Sequence, residues 1–279
     1  MYSDNDIGLH AAVSDEEVRA LLTRLAELRK RSAVLLQGAA TEVLCGEARV
    51  QSVEASNRIE GIATSSSRLQ RLMRYEADPM NGEEAEIAGY RDVLDAVNKN
   101  YTTLEPTPCD ILQMHRDLYA YSGVGGMWKR SDNIIAGMDA NGGLSVRFRP
   151  VSARNTPGAM VRLCSSFLRS MAAGRGEPLL LIILFVLDFL CIHPFHDGNG
   201  RMSRLLTTLL LYRNGVEAGR YISLDKLIFS SRRNYYKTLQ TASCGWHEDH
   251  ADCVPFVRYF LGILAEAYTE LENRMRAAG

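Results

Sequence analysis

The sequence has little of several features that mark whole classes of protein. Its 279 residues include 6 cysteines, and no two of these form a CxxC pair. Because the cysteines are scattered through mostly apolar segments, we expect reduced thiols in the core and no disulfide framework. The 32 lysine and arginine residues stand against 33 aspartate and glutamate residues, a net charge of -1. The chain thus lacks the basic excess of proteins that coat nucleic acid, and we expect no nucleic-acid partner.

Long hydrophobic runs are also scarce. The most apolar run, residues 178–192 (PLLLIILFVLDFLCI), is interrupted by Asp188. It is shorter than the roughly 20 residues that a membrane span needs. The N-terminal residues MYSDNDIGLH have no basic region followed by an apolar stretch, so they lack the pattern of a secretory signal. We therefore expect no membrane partner, a cytoplasmic location and a buried central helix over residues 178–192.

Apolar residues repeat at helical spacing over most of the chain. Ser14 and Glu17 form the pattern of a capping box, which predicts that a helix begins there. Thr107 and Thr156 each precede a proline, the pattern of an N-cap followed by proline at the first helical position. These two helices are expected to run through Leu118 and Met171. Further helices are predicted at about residues 41–58, 67–75, 83–98, 200–213, 230–241 and 254–275.

Residues 122–150 differ from the rest because they are rich in glycine and contain two β-prone stretches, at 133–136 and 144–148. An Asn141-Gly142-Gly143 turn between them favours a β-hairpin, although a plain surface loop also fits. The predicted fold class is therefore all-α, with one small hairpin on a helical body.

The segment from His193 to Arg204 (HPFHDGNGRMSR) concentrates chemical groups. Pro194 disfavours helical geometry in the residue before it, so the central helix should end near His193 and a loop should lead into the next helix. Gly198, Asn199 and Gly200 allow backbone conformations that turn N–H groups outward, which builds an anion-binding nest.

Charged side chains flank this nest. Arg201 and Arg204 lie three residues apart, so both should face one side of the next helix and offer guanidinium groups to phosphate. Asp197 is placed to hold a Mg²⁺ ion that bridges phosphate oxygens, and His193 is the natural proton acceptor. Each residue alone is more typical of a helix cap or a turn. Their combination in one loop and helix favours a phosphate-transfer site.

The same segment resembles the full signature of the Fic (filamentation induced by cAMP) family. The resemblance implies a helical Fic fold and the transfer of AMP from ATP to a Tyr, Ser or Thr hydroxyl of a target protein. It implies that His193 deprotonates this hydroxyl and that Asp197 holds Mg²⁺. Phosphate oxygens would be bound by Gly198, Asn199, Gly200 and Arg201, and the γ-phosphate by Arg204. Phe195 would pack into the core, and His196 occupies a variable position without a role.

Two further stretches extend the resemblance. Residues 126–137 are similar to the family's flap, a hairpin whose edge positions the target by strand addition. In it we assign flap roles to Lys129, where the family usually has arginine, and to Asn133 and Ile135. Tyr235 and Tyr236 match a segment that lines the adenine pocket in some members.

Upstream, Ser56, Glu60 and Gly61 resemble the family's inhibitory motif. The implied mechanism is that Glu60 pairs with Arg204 and occupies the place of the γ-phosphate, so that ATP cannot align. The resemblance divides the chain into an N-terminal helical region with the inhibitory helix (1–100), a catalytic core (101–245) and a C-terminal helix (246–279). The predicted function is an autoinhibited protein adenylyltransferase that uses ATP and Mg²⁺ on a protein target, with a homo-oligomer possible.

Other functions stay open at this stage. The same site could remove AMP, with Glu60 orienting a hydrolytic water, or could use another nucleotide or phosphate donor. A metal-dependent phosphohydrolase would use His193, His196 and Asp197 as ligands, with His115 or Asp188. A non-catalytic module would bind peptides along the flap edge.

Overall fold

The computed structural model describes residues 6–35, 39–123, 125–138 and 143–278, and within these ranges the chain is mainly helical with one small sheet. The predicted fold class is thereby confirmed. The helices are α1 (Asp6–Ser14), α2 (Glu16–Leu35), α3 (Ala39–Ile59), α4 (Ser66–Met73), α5 (Gly82–Asn100), α6 (Pro108–Leu118), α7 (Thr156–Ala172), α8 (Pro178–Ile192), α9 (Asn199–Arg213), α10 (Leu224–Ser230), α11 (Arg232–Ser243) and α12 (Val254–Ala278). Short 3₁₀ helices lie at Ala218–Arg220 and Trp246–Glu248.

The centre of the fold is α8, the predicted central helix. Its side chains from Leu179 to Ile192 are buried, with the single exception of the half-buried Leu181. A helix that is apolar all round is stable only when other elements cover every face, and here α7 and α9 pack on it directly. Within the described ranges, no helix is long and apolar enough to span a membrane.

The two ends of the chain meet on one side of this centre. Helix α2 packs along α12, and Arg258 of α12 forms an ion pair with Asp15 at the start of α2. Helix α3 packs against α5 and α10 and reaches α9 with its C-terminal end. This placement brings the end of α3 to the segment that carries the signature.

Helix starts were predicted correctly at one of three places. The Thr107 hydroxyl accepts a hydrogen bond from the Asp110 N–H and caps α6, as predicted. At α2 the prediction was wrong: Ser14 ends α1, and the carboxylate of Asp15 caps α2 by accepting from the Val18 N–H. At α7 it was also wrong, because the cap position is Asn155 and the Thr156 hydroxyl instead donates to the Ser152 carbonyl.

The predicted hairpin is present. Strand β1 (Ile135–Met138) pairs antiparallel with β2 (Leu144–Phe148), with an irregularity between Ile135 and Ala136. Two residues of the predicted turn, Asn141 and Gly142, lie outside the described residues. The first strand starts at Ile135, later than predicted, because the side chain of Asn133 is bound to another loop.

The cysteines are free thiols, as predicted. Their expected place in the core is wrong for Cys109 and Cys244, which are exposed.

Candidate active site

The loop after α8 is held rigidly by its own side chains. His193 adopts left-handed geometry (φ 51°) at the end of α8, and Gly198 (φ 78°) precedes α9. The side chain of Asn199 accepts from the Phe195 N–H and donates to the Phe195 carbonyl, at 2.9 and 2.8 Å. The side chain of Asn199 thus holds the loop together. Only the backbone N–H of Asn199 is available for the phosphate binding that the resemblance implies. A β-carbon on Gly198 would lie 2.9 Å from the Tyr119 hydroxyl, so glycine is required there.

Phe195 anchors this loop in the core, as predicted. It is fully buried and stacks on His115, with ring centres 3.6 Å apart and an interplanar angle of 2°. His115 Nδ1 accepts from the Gly126 N–H, so Nε2 carries the proton and donates to the Asp197 carbonyl. Burial lowers the pKa of His115 to about 4, which keeps it neutral. His115 therefore joins the loop to the start of the flap, a role that the sequence did not indicate.

His193 has the environment of a proton acceptor. Its Nδ1 lies 3.2 Å from the Leu190 carbonyl, which can only accept, so in the neutral ring Nδ1 carries the proton and Nε2 has the free lone pair. Burial lowers the pKa of His193 to about 4, and the charge of Lys129 acts in the same direction. The imidazole is consequently neutral at physiological pH, and its Nε2 lone pair is free to accept a proton.

Asp197 and Arg201 share one tyrosine. The Tyr119 hydroxyl donates to Asp197 Oδ2 at 2.7 Å and accepts from Arg201 Nη2 at 2.8 Å. Burial raises the pKa of Asp197, but the hydrogen bonds from Tyr119 and the Gly198 N–H, together with Arg201, lower it below its ordinary value. Asp197 is 74% exposed in its side chain and ionised, at the start of α9.

Arg201 lies deeper than a residue expected to bind phosphate with its side chain. It is 1% exposed, and its Nη2 forms a 2.5 Å ion pair with Glu86 of α5. Its Nε and Nη1 atoms have no hydrogen-bond partner in the part of the chain that the structure describes. Glu86 is a site residue that the sequence analysis missed. It lies on a different helix from Arg201 and more than a hundred residues before it, so no local pattern connects the two.

Arg204 is the point where α3 meets α9. Its Nε donates to the Ser56 hydroxyl at 2.6 Å, and its Nη2 donates to the Ser56 carbonyl at 2.9 Å and to Glu60 Oε1 at 2.7 Å. Asp225 of α10, with its nearest oxygen 3.6 Å from Arg204 Nε, supplies a second negative charge. The sequence did not indicate Asp225. Glu60 follows the last residue of α3, and Gly61 (φ 81°) ends the helix in left-handed geometry, a conformation that favours glycine.

Gly200, the second residue of α9, lies directly under Glu60. A β-carbon on Gly200 would overlap Glu60 Oε1 and lie 3.1 Å from its Cδ. Glu60 therefore covers the N-terminal turn of α9, where N–H groups lack helical partners and attract negative charge.

These groups open into one cleft of about 520 Å³. It brings together His193, the loop that follows it, the start of α9 and Arg204 with Glu60 of α3. Tyr235, which is buried, and Tyr236, which is 41% exposed, line the same cleft from α11. On the other side lie flap residues 134–136, among them Ile135.

The remaining two flap residues lie at the base of the hairpin. Lys129 is buried, and its ammonium donates to Asn133 Oδ1 at 2.8 Å and to the Ile192 carbonyl at 3.1 Å. Asn133 Nδ2 donates to the Phe195 carbonyl at 3.1 Å. Both side chains thus tie the flap to the loop after α8, and neither is part of the exposed hairpin edge. The ring of His196 also joins the two, because its Nε2 accepts from the Arg130 N–H at 3.1 Å.

The oxygen atoms of the site suit a hard cation that is coordinated partly by the protein and partly by phosphate groups of a substrate. The described ranges contain no group of three or more His, Cys, Asp or Glu side chains that could hold a metal ion. Of the ligands considered for a phosphohydrolase, His115 has both ring nitrogens engaged, and Asp188 accepts from the Trp246 indole at 2.8 Å. The exposed, ionised carboxylate of Asp197 fits Mg²⁺, which is commonly held by one or two carboxylates and by substrate phosphates.

Comparison with known proteins gives consistent matches. Residues 105–211 match the model of the Fic/DOC family. The chain is 31% identical over 231 residues to a protein adenylyltransferase Fic of Aedes aegypti, a match that covers 76% of this chain and 40% of that protein. A protein of the same name from Drosophila grimshawi is 30% identical over 223 residues, covering 76% and 41%. The chain thus spans about two fifths of the length of these relatives.

Solved structures show the same fold. A Fic-domain signalling protein from Bacteroides thetaiotaomicron superposes with a TM-score of 0.76 at 21% identity, covering 91% of this chain and 97% of the other. A Fic family protein from Desulfovibrio desulfuricans G20 also gives 0.76, at 24% identity, covering 93% and 75%.

Proposed function

We propose, from the match to the Fic/DOC family and the geometry of the cleft, that the chain is a Fic-domain protein adenylyltransferase inhibited by its own Glu60. It would transfer AMP from ATP to a Tyr, Ser or Thr hydroxyl of a target protein. The observation that carries the proposal is the single cleft in which a neutral histidine base, a helix N-terminus and the cation of Arg204 converge. Such a site suits phosphoryl chemistry, in which positioning and electrostatics supply most of the catalysis.

In the proposed reaction, Nε2 of His193 takes the proton from the target hydroxyl. The hydroxyl oxygen then forms a bond to the α-phosphorus of ATP, and the bond between this phosphorus and the oxygen of the pyrophosphate breaks. Pyrophosphate leaves, and AMP stays on the target. The hydrogen bond from Nδ1 to the Leu190 carbonyl fixes the ring with Nε2 free for this step.

The binding of ATP is assigned to the other side of the cleft. We assign phosphate binding to the backbone N–H groups of Asn199 and Gly200 at the start of α9, as anions bind at helix N-termini, and to Gly198, which lets the phosphates approach the backbone although its own N–H is bound to Asp197. Arg204 holds the γ-phosphate, and the tyrosines at 235 and 236 flank the adenine. Mg²⁺ held by Asp197 would neutralise charge on the phosphates. Arg201, kept in place by Tyr119 and Glu86, contributes its positive charge from beneath the loop.

Autoinhibition follows from the ion pair between Glu60 and Arg204. Glu60 lies 2.7 Å from the guanidinium and also covers Gly200, so its carboxylate fills the place where a terminal phosphate would bind. ATP can then bind without aligning its α-phosphate for attack. Ser56 supports this state by accepting from Arg204 Nε.

The test is mass spectrometry of the wild type, Glu60→Gly and Glu60→Gly/His193→Ala, each incubated with ATP, Mg²⁺ and lysate proteins. AMP adducts on the protein itself or on lysate proteins, in the single variant alone, are the expected result. Adducts in the double variant would overturn the role of His193. Equal adducts in the wild type and Glu60→Gly would overturn the autoinhibition. The absence of adducts in all three samples would favour another donor or a module that binds peptides.

Removal of AMP is a second candidate, because Glu60 lines the cleft beside His193 and its side chain is 32% exposed. In this position its carboxylate could orient a water molecule. A target that already carries AMP would then lose it with the wild type and retain it with Glu60→Gly. Equal retention with both proteins would remove this candidate.

A further inference from the structure

The first two turns of α11 carry three cations, which we call the basic patch: Arg232, Arg233 and Lys237. All three side chains are exposed. They line an open concavity of about 700 Å³ beside the cleft. The other residues that line it carry hydroxyl, phenol or amide groups, and none carries a carboxylate; they are Ser230, Ser231, Asn234 and Tyr236.

The charges of the basic patch are not neutralised within the described ranges. On other helices cations pair with carboxylates one turn away, as in Glu54 with Arg58 and Glu270 with Arg274. None of the three patch residues has such an ion pair among the residues that the structure describes. The net charge of the whole chain is -1, so this accumulation of three positive charges is local.

The local backbone adds to the positive potential. Helix α11 has 12 residues and no side-chain cap at its N-terminus, because the Ser231 hydroxyl donates to the Leu227 carbonyl instead. The guanidinium of Arg232 lies 5.1 Å from the centre of the Phe229 ring, which holds its charge over the end of α10. The uncapped end of α11 thus adds positive potential to the patch, and Phe229 fixes the position of one of its three cations.

Tyr236 joins this surface to the cleft. Its side chain is 41% exposed and lines both the concavity and the cleft that contains His193. A polypeptide with a hydroxyl residue near His193 could continue past Tyr236 onto the basic patch. The groups assigned to the triphosphate, Arg204 and the start of α9, line the cleft and not the concavity. Tyr236, which is assigned to the adenine, lines both, but the three cations of the patch do not line the cleft, so they remain available when the nucleotide is bound.

We infer that the basic patch binds an acidic segment of the protein target, a run of aspartate and glutamate side chains close in sequence to the hydroxyl that is modified. This inference rests on the proposed function for its biological meaning. Complementary charge at the edge of an interface raises the rate of association and selects among partners. The patch accordingly favours targets with carboxylates near the hydroxyl over those with cations there.

The test measures binding without transfer. A fluorescein-labelled peptide of ten glutamates followed by Gly-Tyr is titrated with the wild type, with Arg232→Glu/Arg233→Glu, and with Arg162→Glu/Arg169→Glu. The last variant reverses two exposed arginines of α7 and so matches the change in charge. Fluorescence anisotropy at low and moderate salt gives the affinities, and thermal unfolding by circular dichroism checks that all three proteins fold.

We expect the patch variant to bind about tenfold or more weakly than the wild type, with a smaller dependence on salt, whereas the α7 variant keeps most of its affinity. A peptide with glutamine in place of glutamate should bind weakly to all three proteins. Equal affinities of the two variants would overturn the inference. So would a patch reversal that weakens binding of ATP or of single-stranded DNA while leaving peptide binding unchanged. Since binding is read directly, failure of AMP transfer in the earlier experiment would not affect the outcome here.

Discussion

The carboxylate of Glu60 lies where a β-carbon on Gly200 would stand, although the two residues are 140 positions apart in the chain. The same oxygen accepts from Arg204 at 2.7 Å. The side chain of Glu60 thus covers the N-terminus of α9 and neutralises the cation of Arg204 in its second turn. A terminal phosphate would need both places, so the binding of this phosphate and the contact of Glu60 exclude each other.

Glu60→Gln should therefore strengthen the binding of ATP in its aligned position. Loss of the negative charge weakens the ion pair with Arg204 and frees the guanidinium for phosphate. We expect ATP to bind about tenfold more tightly, within the range typical of coupling between two sites. Isothermal titration calorimetry with ATP and Mg²⁺ measures this change.

The matched control is Glu54→Gln, six residues earlier and within α3. Glu54 pairs with Arg58 and has a side chain of similar exposure, 36% against 32% for Glu60, but it does not line the cleft. It should leave the affinity for ATP unchanged. If both variants bound ATP equally more tightly, the loss of any negative charge from this region would explain the gain. The specific contact between Glu60 and Arg204 would then not be responsible.

The rate of AMP transfer should be insensitive to pH between about 7 and 5.5. Burial lowers the pKa of His193 to about 4, so the ring stays neutral and keeps a free lone pair over this range. A base with the ordinary histidine pKa would lose about tenfold at pH 5.5. Initial rates of the Glu60→Gly variant at saturating ATP, taken at half-unit steps of pH, distinguish the two profiles; a fall that starts near pH 6.5 contradicts the buried environment of the base.

The free energy of unfolding should decrease as the pH is lowered, in part because of His115. Its folded pKa is about 4 and lies below the ordinary histidine value of 6.5, so between these values the unfolded chain binds more protons than the folded one. By linkage, stability is full above about pH 6.5 and is lost as the pH falls toward 4. Between pH 7 and 4.5, we expect the free energy of unfolding to drop about 2 kcal/mol more in the wild type than in His115→Gln.

Urea unfolding at both pH values measures this difference. Asp15→Asn serves as a comparison, because Asp15 is a carboxylate with a lowered pKa at the distant start of α2. An equal drop in the wild type and His115→Gln would mean that His115 is not held neutral by the fold.

Mg²⁺ should strengthen the binding of ATP through Asp197. In the Glu60→Gln background, Asp197→Asn removes the charge that would hold the ion, so added Mg²⁺ should no longer increase the affinity for ATP. Tyr119→Phe keeps the carboxylate and removes its 2.7 Å hydrogen bond. Loss of such a supporting partner typically weakens metal binding about 10- to 100-fold. Calorimetry with and without Mg²⁺ measures both effects; an undiminished effect of Mg²⁺ in Asp197→Asn would place the ion elsewhere.

Asn133→Ala should loosen the flap without unfolding the chain. The substitution removes a 3.1 Å bond to the Phe195 carbonyl and the acceptor of Lys129. We expect faster hydrogen exchange in both strands and a loss of about 1 kcal/mol in global stability. Ser145→Ala, which loses one bond inside the hairpin to Gly137, is the control for local weakening. Similar exchange in both variants would argue that the tether at the base of the hairpin does not hold the flap.

The sequence predicted well what is local along the chain. The end of α8 at His193, the loop and the start of α9 follow from Pro194 and the glycines within eight residues. The sequence could not indicate Tyr119, Glu86 or Asp225, because each reaches the site from another helix and has no pattern of its own. The pairing of Glu60 with Arg204 came from the resemblance to a family, since periodicity alone cannot place two residues 144 positions apart in contact.

The cap of α2 also depends on a tertiary contact that the sequence could not predict. Ser14 and Asp15 are adjacent and both are good caps, so the choice depends on the neighbouring structure. Asp15 takes the position because its carboxylate also pairs with Arg258 of α12, a tertiary contact that the sequence does not contain as a pattern. The same applies to Asn133, which appeared as a strand residue and is bound instead to the loop after α8.

The carboxylate of Glu60, to which we assign inhibition, lies just beyond the last turn of α3, and this position would determine how fast the proposed inhibition is relieved. Three backbone bonds close this turn: the N–H groups of Glu60 and Ile62 donate to the Asn57 carbonyl, and the Gly61 N–H donates to the Arg58 carbonyl. Terminal turns fray far more readily than whole helices move, and they do so in about a microsecond or less. If Glu60 inhibits as proposed, activation would need only local unfolding of this turn, which a partner bound near Gly61 could stabilise, and no rearrangement of whole helices. Hydrogen exchange confined to residues 57–62 when ATP binds would be its signature, whereas exchange along all of α3 would indicate displacement of the whole helix.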